Sequence, residues 1–128
     1  MTDTPLKKVN LQEKFSQISD HWNPRVVGEW SGQQVKLAKF KGQFDWHFHE
    51  NEDEVFLVVR GVMRMGLRDP DEREVLVEEG EFLIVPKGVH HCPAAHTEET
   101  WVMMLEPATT LNTGNLQNER TRNTLEHL

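Results

Sequence analysis

His47-Phe48-His49-Glu50-Asn51-Glu52-Asp53-Glu54-Val55-Phe56-Leu57-Val58-Val59-Arg60-Gly61 is the stretch whose reading decides the fold. Its second half is a short apolar run closed by glycine, the pattern of a buried strand. In the first half, strand side chains point alternately to opposite faces, so His47 and His49 share one face while Phe48 points away. Two imidazoles on one face are ready to chelate an ion. Glu54 follows the acidic loop Glu50 to Asp53, and a strand starting there carries its carboxylate back beside the pair. A lone histidine, His91, lies behind the turn Pro86-Lys87-Gly88. Histidine pairs of this spacing also arise by chance, and acidic runs usually mark solvated loops. The coincidence of two spaced blocks is what points to a single divalent metal site.

Those blocks read His47-x-His49-xxxx-Glu54-xxxxxx-Gly61 and Gly80-xxxxx-Pro86-x-Gly88-xx-His91. They resemble the two signature motifs of the cupin family, small double-stranded β-helix or jelly-roll barrels, with 62–79 as a compact intermotif stretch. The resemblance spans roughly residues 25 to 107. A wider similarity, from Val9 to Thr113-Gly114, is to single-domain cupins related to mannose-6-phosphate isomerase. It implies that His47, His49, Glu54 and His91 hold one metal ion. Two positions depart from the pattern: Gly42 stands one residue nearer to His47 than is common, and Ala95 replaces an asparagine that often ends the second motif. Neither is a ligand, although Ala95 leaves the nearby pocket wall open.

Composition bounds the rest. A chain of 128 residues suits one domain, and a hydrophobic share of 37% suffices for a single β core. Fourteen Lys and Arg stand against 21 Asp and Glu, a formal net charge of −7. The basic residues are scattered, and neutralising a nucleic-acid backbone needs them clustered, so no DNA or RNA binding is expected. Met1 to Lys8 lacks the apolar core of a secretory signal, and no stretch has the apolar length to cross a bilayer. A cytoplasmic location is expected. The single cysteine, Cys92, cannot form an intrachain disulfide and, next to His91 on a strand, should face the other way into packing.

Along the chain, Asn10 is placed to cap a short helix with Glu13 three residues on, and Leu11, Phe15 and Ile18 recur at helical spacing. Residues 1–24 are therefore read as an N-terminal extension with a short helix. Val26 to Trp30, Ser31-Gly32, and Val35 to Phe40 read as a hairpin, followed by strand-like stretches near 54–59, 62–68, 74–78, 81–85 and 100–106. Short strands with regular turn signals indicate an all-β barrel or sandwich over 25–107. The polar stretch 108–128 is read as a tail over the barrel or over a partner subunit. A homodimer is expected, since small barrels with exposed edges often pair.

Alternation also nominates a pocket. Met63, Met65 and Leu67 share one face of a strand and should look inward, while Arg64 and Arg68 look outward. Phe56 and Val58 are in phase with Glu54. Trp101, Met103 and Leu105 alternate with Val102, Met104 and Glu106, and parity alone does not choose between the sets. Phe56, Met63, Met65 and Met103 are the nominated lining, although ordinary core packing is the commoner fate of such residues. A bulge near Gly61 is the one way for Arg60 to turn inward.

Three imidazoles and a carboxylate suit Fe, Mn, Ni, Cu or Zn. On an octahedral ion they leave adjacent positions for water, dioxygen or an oxygen-rich ligand. Two functions follow from different classes. One is a metal-dependent enzyme on a small oxygen-rich molecule, of dioxygenase or isomerase type. The other is a non-catalytic cupin that binds or senses a small, sugar-like molecule. An intact ligand set favours the enzyme. No general acid or base is legible: the chain has no tyrosine, and His21, His90, His96 and His127 read as rim or surface residues.

Overall fold

The computed structural model describes residues 6–128, so the first five residues of the expected N-terminal extension lie outside the described residues. Asn10 caps helix α1 (Leu11–Ser16), its side chain accepting a hydrogen bond from the Glu13 amide at 3.0 Å. Eight strands follow among the described residues: β1 (Arg25–Trp30), β2 (Gln33–Phe40), β3 (Glu54–Arg60), β4 (Met63–Arg68), β5 (Glu72–Val77), β6 (Phe82–Val85), β7 (His90–Ala95) and β8 (Thr100–Pro107). All pair antiparallel, in one sheet of order β1-β2-β8-β3-β6 and another of order β5-β4-β7. The chain is thus all-β with a short N-terminal helix.

Strand alternation builds the interior. Lys36, Ala38 and Phe40 of β2, Glu54, Phe56 and Val58 of β3, and Val102, Met104 and Glu106 of β8 are buried on the inner face of the larger sheet. Met63, Met65 and Leu67 of β4 close the core from the smaller sheet. The apolar members form one cluster, each Val, Leu, Phe or Met side chain contributing about 1.5–3 kcal/mol of burial free energy. Lys36, Glu54, Glu106 and the histidines of the two motifs are buried in this interior, and Thr100 is buried at the other end of β8 from Glu106.

The outer face of the larger sheet is covered as well. Leu37 packs beneath Phe15 and Ile18 in a second cluster that includes Trp101 and Met103. Phe15 stacks on Trp101 with ring centroids 4.9 Å apart. A register shift between Val58 and Arg60 sets Arg60 opposite Trp101, with its guanidinium 3.9 Å from the ring centroid. The bulge therefore keeps Arg60 on the exposed side.

One strand forms without the usual signals. His90–Ala95 has no β-branched residue and contains Pro93, which lacks a ladder donor. Neighbours on both edges hold it. On one edge β4 pairs along its length, and on the other the irregular segment 43–47 bridges at Gln43↔Ala94 and His47↔His91. Ala95 packs on the main core.

Residues 108–128 lie over the same chain's barrel. Leu128 donates to the Val26 carbonyl at 2.9 Å, and Val26 donates to that of Glu126 at 2.9 Å. Nearer the motifs, the Asn115 amide donates to the Phe48 carbonyl at 3.1 Å while the Asn115 side chain accepts from the Phe48 amide at 3.0 Å. Phe15→Ala is expected to cost about 3–5 kcal/mol, read in urea unfolding, because its wholly buried ring ties α1 to the outer face.

Candidate metal centre

Segment 43–49 and β7 bring the histidines together. The His47 amide donates to the His91 carbonyl at 3.0 Å, and the His91 amide returns a bond to the His47 carbonyl at 2.8 Å. This exchange places both side chains on the inner face. The carbonyl of His49 accepts from the Gly88 amide at 2.7 Å, so the turn within the second motif anchors the end of the first. Glu54 enters from the first position of β3. One ligand atom from each of His47, His49, Glu54 and His91 lies within 4.8 Å of the others, and all four residues are buried.

The imidazoles are oriented from behind. Nδ1 of His47 donates to the Asp45 carbonyl at 2.8 Å, and Nδ1 of His91 to that of Val89 at 2.9 Å. A carbonyl only accepts, so the proton sits on Nδ1 and the Nε2 lone pair is turned inward. Nε2 of His49 and of His91 lie 2.8 and 3.1 Å from Oε1 of Glu54. Despite these lengths, the three atoms are buried without a properly directed hydrogen bond. With a His47 ring nitrogen they crowd around one point, all within 4.8 Å of one another, and orphaned buried groups are costly. A cation at that point satisfies all of them. The donor set therefore fits a divalent transition ion such as Fe, Mn, Ni, Cu or Zn.

Electrostatics keep the donors in their ligating forms. Burial, and then the neighbouring His91, push His47 down from 6.5 to about 4. Burial by itself lifts Glu54, but His49 and His91 beside it hold its carboxyl well below the usual carboxylate range. The tail completes the mounting. Gly114 has φ +58, and a Cβ there meets the Phe48 carbonyl oxygen and stands 3.0 Å from the His47 ring. Only glycine lets the tail approach the ligand segment this closely.

Two members of the cluster, His47 and Glu54, border a cavity walled by the aromatic side chains of Trp22, Phe40, Phe44 and Phe56, with Met104 and Pro93 beside them. Trp22 holds a left-handed backbone (φ 58) uncommon outside glycine, stacks on Phe40 at 4.3 Å, and donates from Nε1 to the Lys41 carbonyl at 2.8 Å.

Of the nominated lining residues, Phe56 borders the cavity. Met63 and Met65 are wholly buried in the main core and do not. Met103 faces the opposite way, into the cluster under α1, and Met104 takes the cavity position. The cause is the phase of β8: Val102, Met104 and Glu106 turn inward. His90 is exposed against Phe48, His21 pairs with Glu99 at 2.7 Å, and His127 with Glu29 at 3.1 Å. Arg64 pairs with Glu74 at 3.2 Å, and Arg68 lies over Trp46 at 3.9 Å, both on the outer face. Buried Cys92 donates from Sγ to the Phe44 carbonyl at 3.1 Å, and burial pushes its thiol up.

Sequence reasoning missed Lys36, Glu106 and Asn112, which supply the cavity's remaining polar lining. Lys36 Nζ lies 2.9 Å from Glu106 Oε2 and 3.4 Å from the Thr110 carbonyl. Burial, and then the nearby Glu54 carboxylate, push Glu106 well above the usual carboxylate range against the pull of Lys36. The available signal was phase: Lys36 alternates in step with Ala38 and Phe40, so the pleat carries all three inward.

A two-sheet barrel with a cluster of three histidines and a glutamate that could hold a metal is a jelly-roll with a candidate metal centre. Residues 34–106 match the cupin domain family, and the chain belongs to it. It is 32% identical over 86 residues to the uncharacterized protein YdbB of Bacillus subtilis (strain 168), an alignment covering 67% of this chain and 64% of that relative. The crystal structure of a cupin-2 domain containing protein from Shewanella frigidimarina NCIMB 400 superposes with a TM-score of 0.72 at 41% identity, covering 77% of this chain and 93% of that one. The fold is also shared with hydroquinone 1,2-dioxygenase PnpCD, solved with Cd2+ and 4-hydroxybenzonitrile: TM-score 0.63, 20% identity, 73% of this chain and 69% of that one.

Two outcomes test the centre. His49→Ala is expected to lose most bound metal and His90→Ala to keep it, measured by elemental analysis after gel filtration; equal retention removes His49 from the ligand set. For the metal-free protein, His47 stays neutral in the folded state while the unfolded chain takes up a proton below about 6.5. Stability therefore falls as pH drops from about 6.5 through about 4, by on the order of 3 kcal/mol at most. Urea midpoints across that range, flatter in His47→Asn, check the sign.

Proposed function

We propose that this chain is a metal-dependent enzyme acting on a small, oxygen-bearing organic molecule, of dioxygenase or isomerase type. The carrying observation is the place of the four-donor cluster: His47 and Glu54 are at once ligands and walls of the cavity. A molecule in that cavity meets the metal position directly. When bound, the ion supplies Lewis-acid polarisation of a substrate oxygen or, if redox-active, chemistry with dioxygen.

The chain's own residues do the rest. Trp22, Phe40, Phe44 and Phe56 offer flat apolar faces that suit a planar body and keep bulk water away. The paired backbone bonds of His47 and His91 hold the ligands on rigid elements, so the site costs little to organise when substrate arrives. Arg60, Arg64 and Arg68 stay outside and form no phosphate cradle within the cavity. These walls favour a planar oxygenated substrate over a sugar phosphate, and the dioxygenase that shares the fold lends this reading its reaction class.

Protein purified without added metal, analysed for ions and then screened for oxygen uptake with hydroquinones, catechols and small enediols, tests the proposal. About one ion per chain and an uptake or isomerisation abolished in Glu54→Gln are expected. Full metal occupancy with no turnover of any of these classes leaves the binding-only reading in its place.

A further inference from the structure

Lys36 is the feature that a metal centre does not explain. It sits on β2 in phase with Ala38 and Phe40, is 2% exposed, and is the lone Lys or Arg among the described residues lining the cavity. Burying an ammonium costs several kcal/mol even after relaxation, so a lysine is a poor choice for mere packing. Glu106 compensates in part at 2.9 Å, and the Thr110 carbonyl accepts a second, long bond at 3.4 Å. An ammonium has three donors, and the third has no acceptor among the described residues. Beside it, Oε1 of Glu106 is buried without a hydrogen-bond partner. This end of the cavity presents unused polar capacity.

Register fixes where that end lies. β8 separates β2 from β3, with Lys36 opposite Met104 and Met104 opposite Phe56. Adjacent strands lie about 4.8 Å apart, so the backbones at Lys36 and Phe56 stand roughly 10 Å apart across the cavity floor. Glu54 is two residues before Phe56 on the same face. Leu105 pairs with Val55, so Glu106 falls beside Glu54, and the ammonium held 2.9 Å from Glu106 lies close to the metal position. Charge points the same way: with a divalent ion in place, Lys36, Glu54, Glu106 and the ion leave at least one net positive charge inside an apolar barrel. A ligand anion cancels it.

Resting on the cavity reading above, we infer that Lys36 recognises an ionised oxygen of the substrate, which is therefore an organic anion such as a carboxylate, with Glu106 as the positioning residue that holds the ammonium. The metal position and Lys36 then face the same oxygen-bearing part of the molecule. This assigns Lys36 to substrate selection.

The test compares benzoate with its neutral isostere benzamide, and acetate with acetamide as the smaller pair, by quenching of tryptophan fluorescence, since Trp22 lines the cavity. On wild-type protein of measured metal content, one anion at least is expected to bind about tenfold or more tighter than its amide, the size of a charge-assisted hydrogen bond. Lys36→Met should erase that preference at unchanged metal content, and Lys36→Arg should keep part of it. Because Lys36→Met strands a buried carboxylate, the double variant Lys36→Met/Glu106→Gln, neutral at both positions, serves as the folded control. A purely structural ion pair predicts that this variant keeps both its thermal midpoint and the anion preference. Selectation requires the midpoint kept and the preference lost. Anion preference unchanged in the double variant, or absent in wild type, overturns the inference. A wild type that holds no metal but still prefers the anion through Lys36 sinks the metal-enzyme reading instead.

Discussion

Three imidazole nitrogens and a carboxylate oxygen crowd a space 4.8 Å across inside a barrel otherwise filled with hydrocarbon. Left alone, such groups destabilise the fold, since buried polar atoms without partners carry their full desolvation cost. Much of the local structure keeps them there in ligating form. Backbone pairing between His47 and His91 sets the side chains inward, carbonyls of Asp45 and Val89 fix the protons on Nδ1, and the tail presses on Phe48. The centre is thus over-determined by the protein.

What was legible in the chain follows from which physical rule each residue obeys locally. Glu54 and Phe56 sit on β3, whose period of two assigns faces without knowledge of its neighbours, whereas His47 and His49, expected on a strand, lie on an irregular segment that touches β7 through isolated bridges. His91 is different. Its meeting with His47 depends on a pairing between distant segments, which motif resemblance indicated and alternation did not. β8 resisted reading because both its faces are covered, one by the core and the other by α1, so Met103 and Met104 are equally apolar choices. β7 lacks strand-forming residues and exists through its partners.

Lys36 and Glu106 show the converse problem. Each is individually a surface type, and nothing near either residue in the chain announces a partner 70 positions away. Phase with Ala38 and Phe40, or with Val102 and Met104, was the available clue, and it gains meaning only once β2 and β8 are known to pair. The cavity is in consequence two-natured: aromatic walls select shape, while the buried ion pair beside the histidine and glutamate cluster responds to charge.

The contact at Gly114 has a mechanical corollary. The His47-Phe48-His49 ribbon is fastened along one margin to β7 and along the other to the returning tail, which closes on it without a side chain between. A ribbon clamped on both margins does not breathe to suit its guest. An ion held there would have to match the spacing set by those fastenings or strain them, so the frame as well as the donors would discriminate.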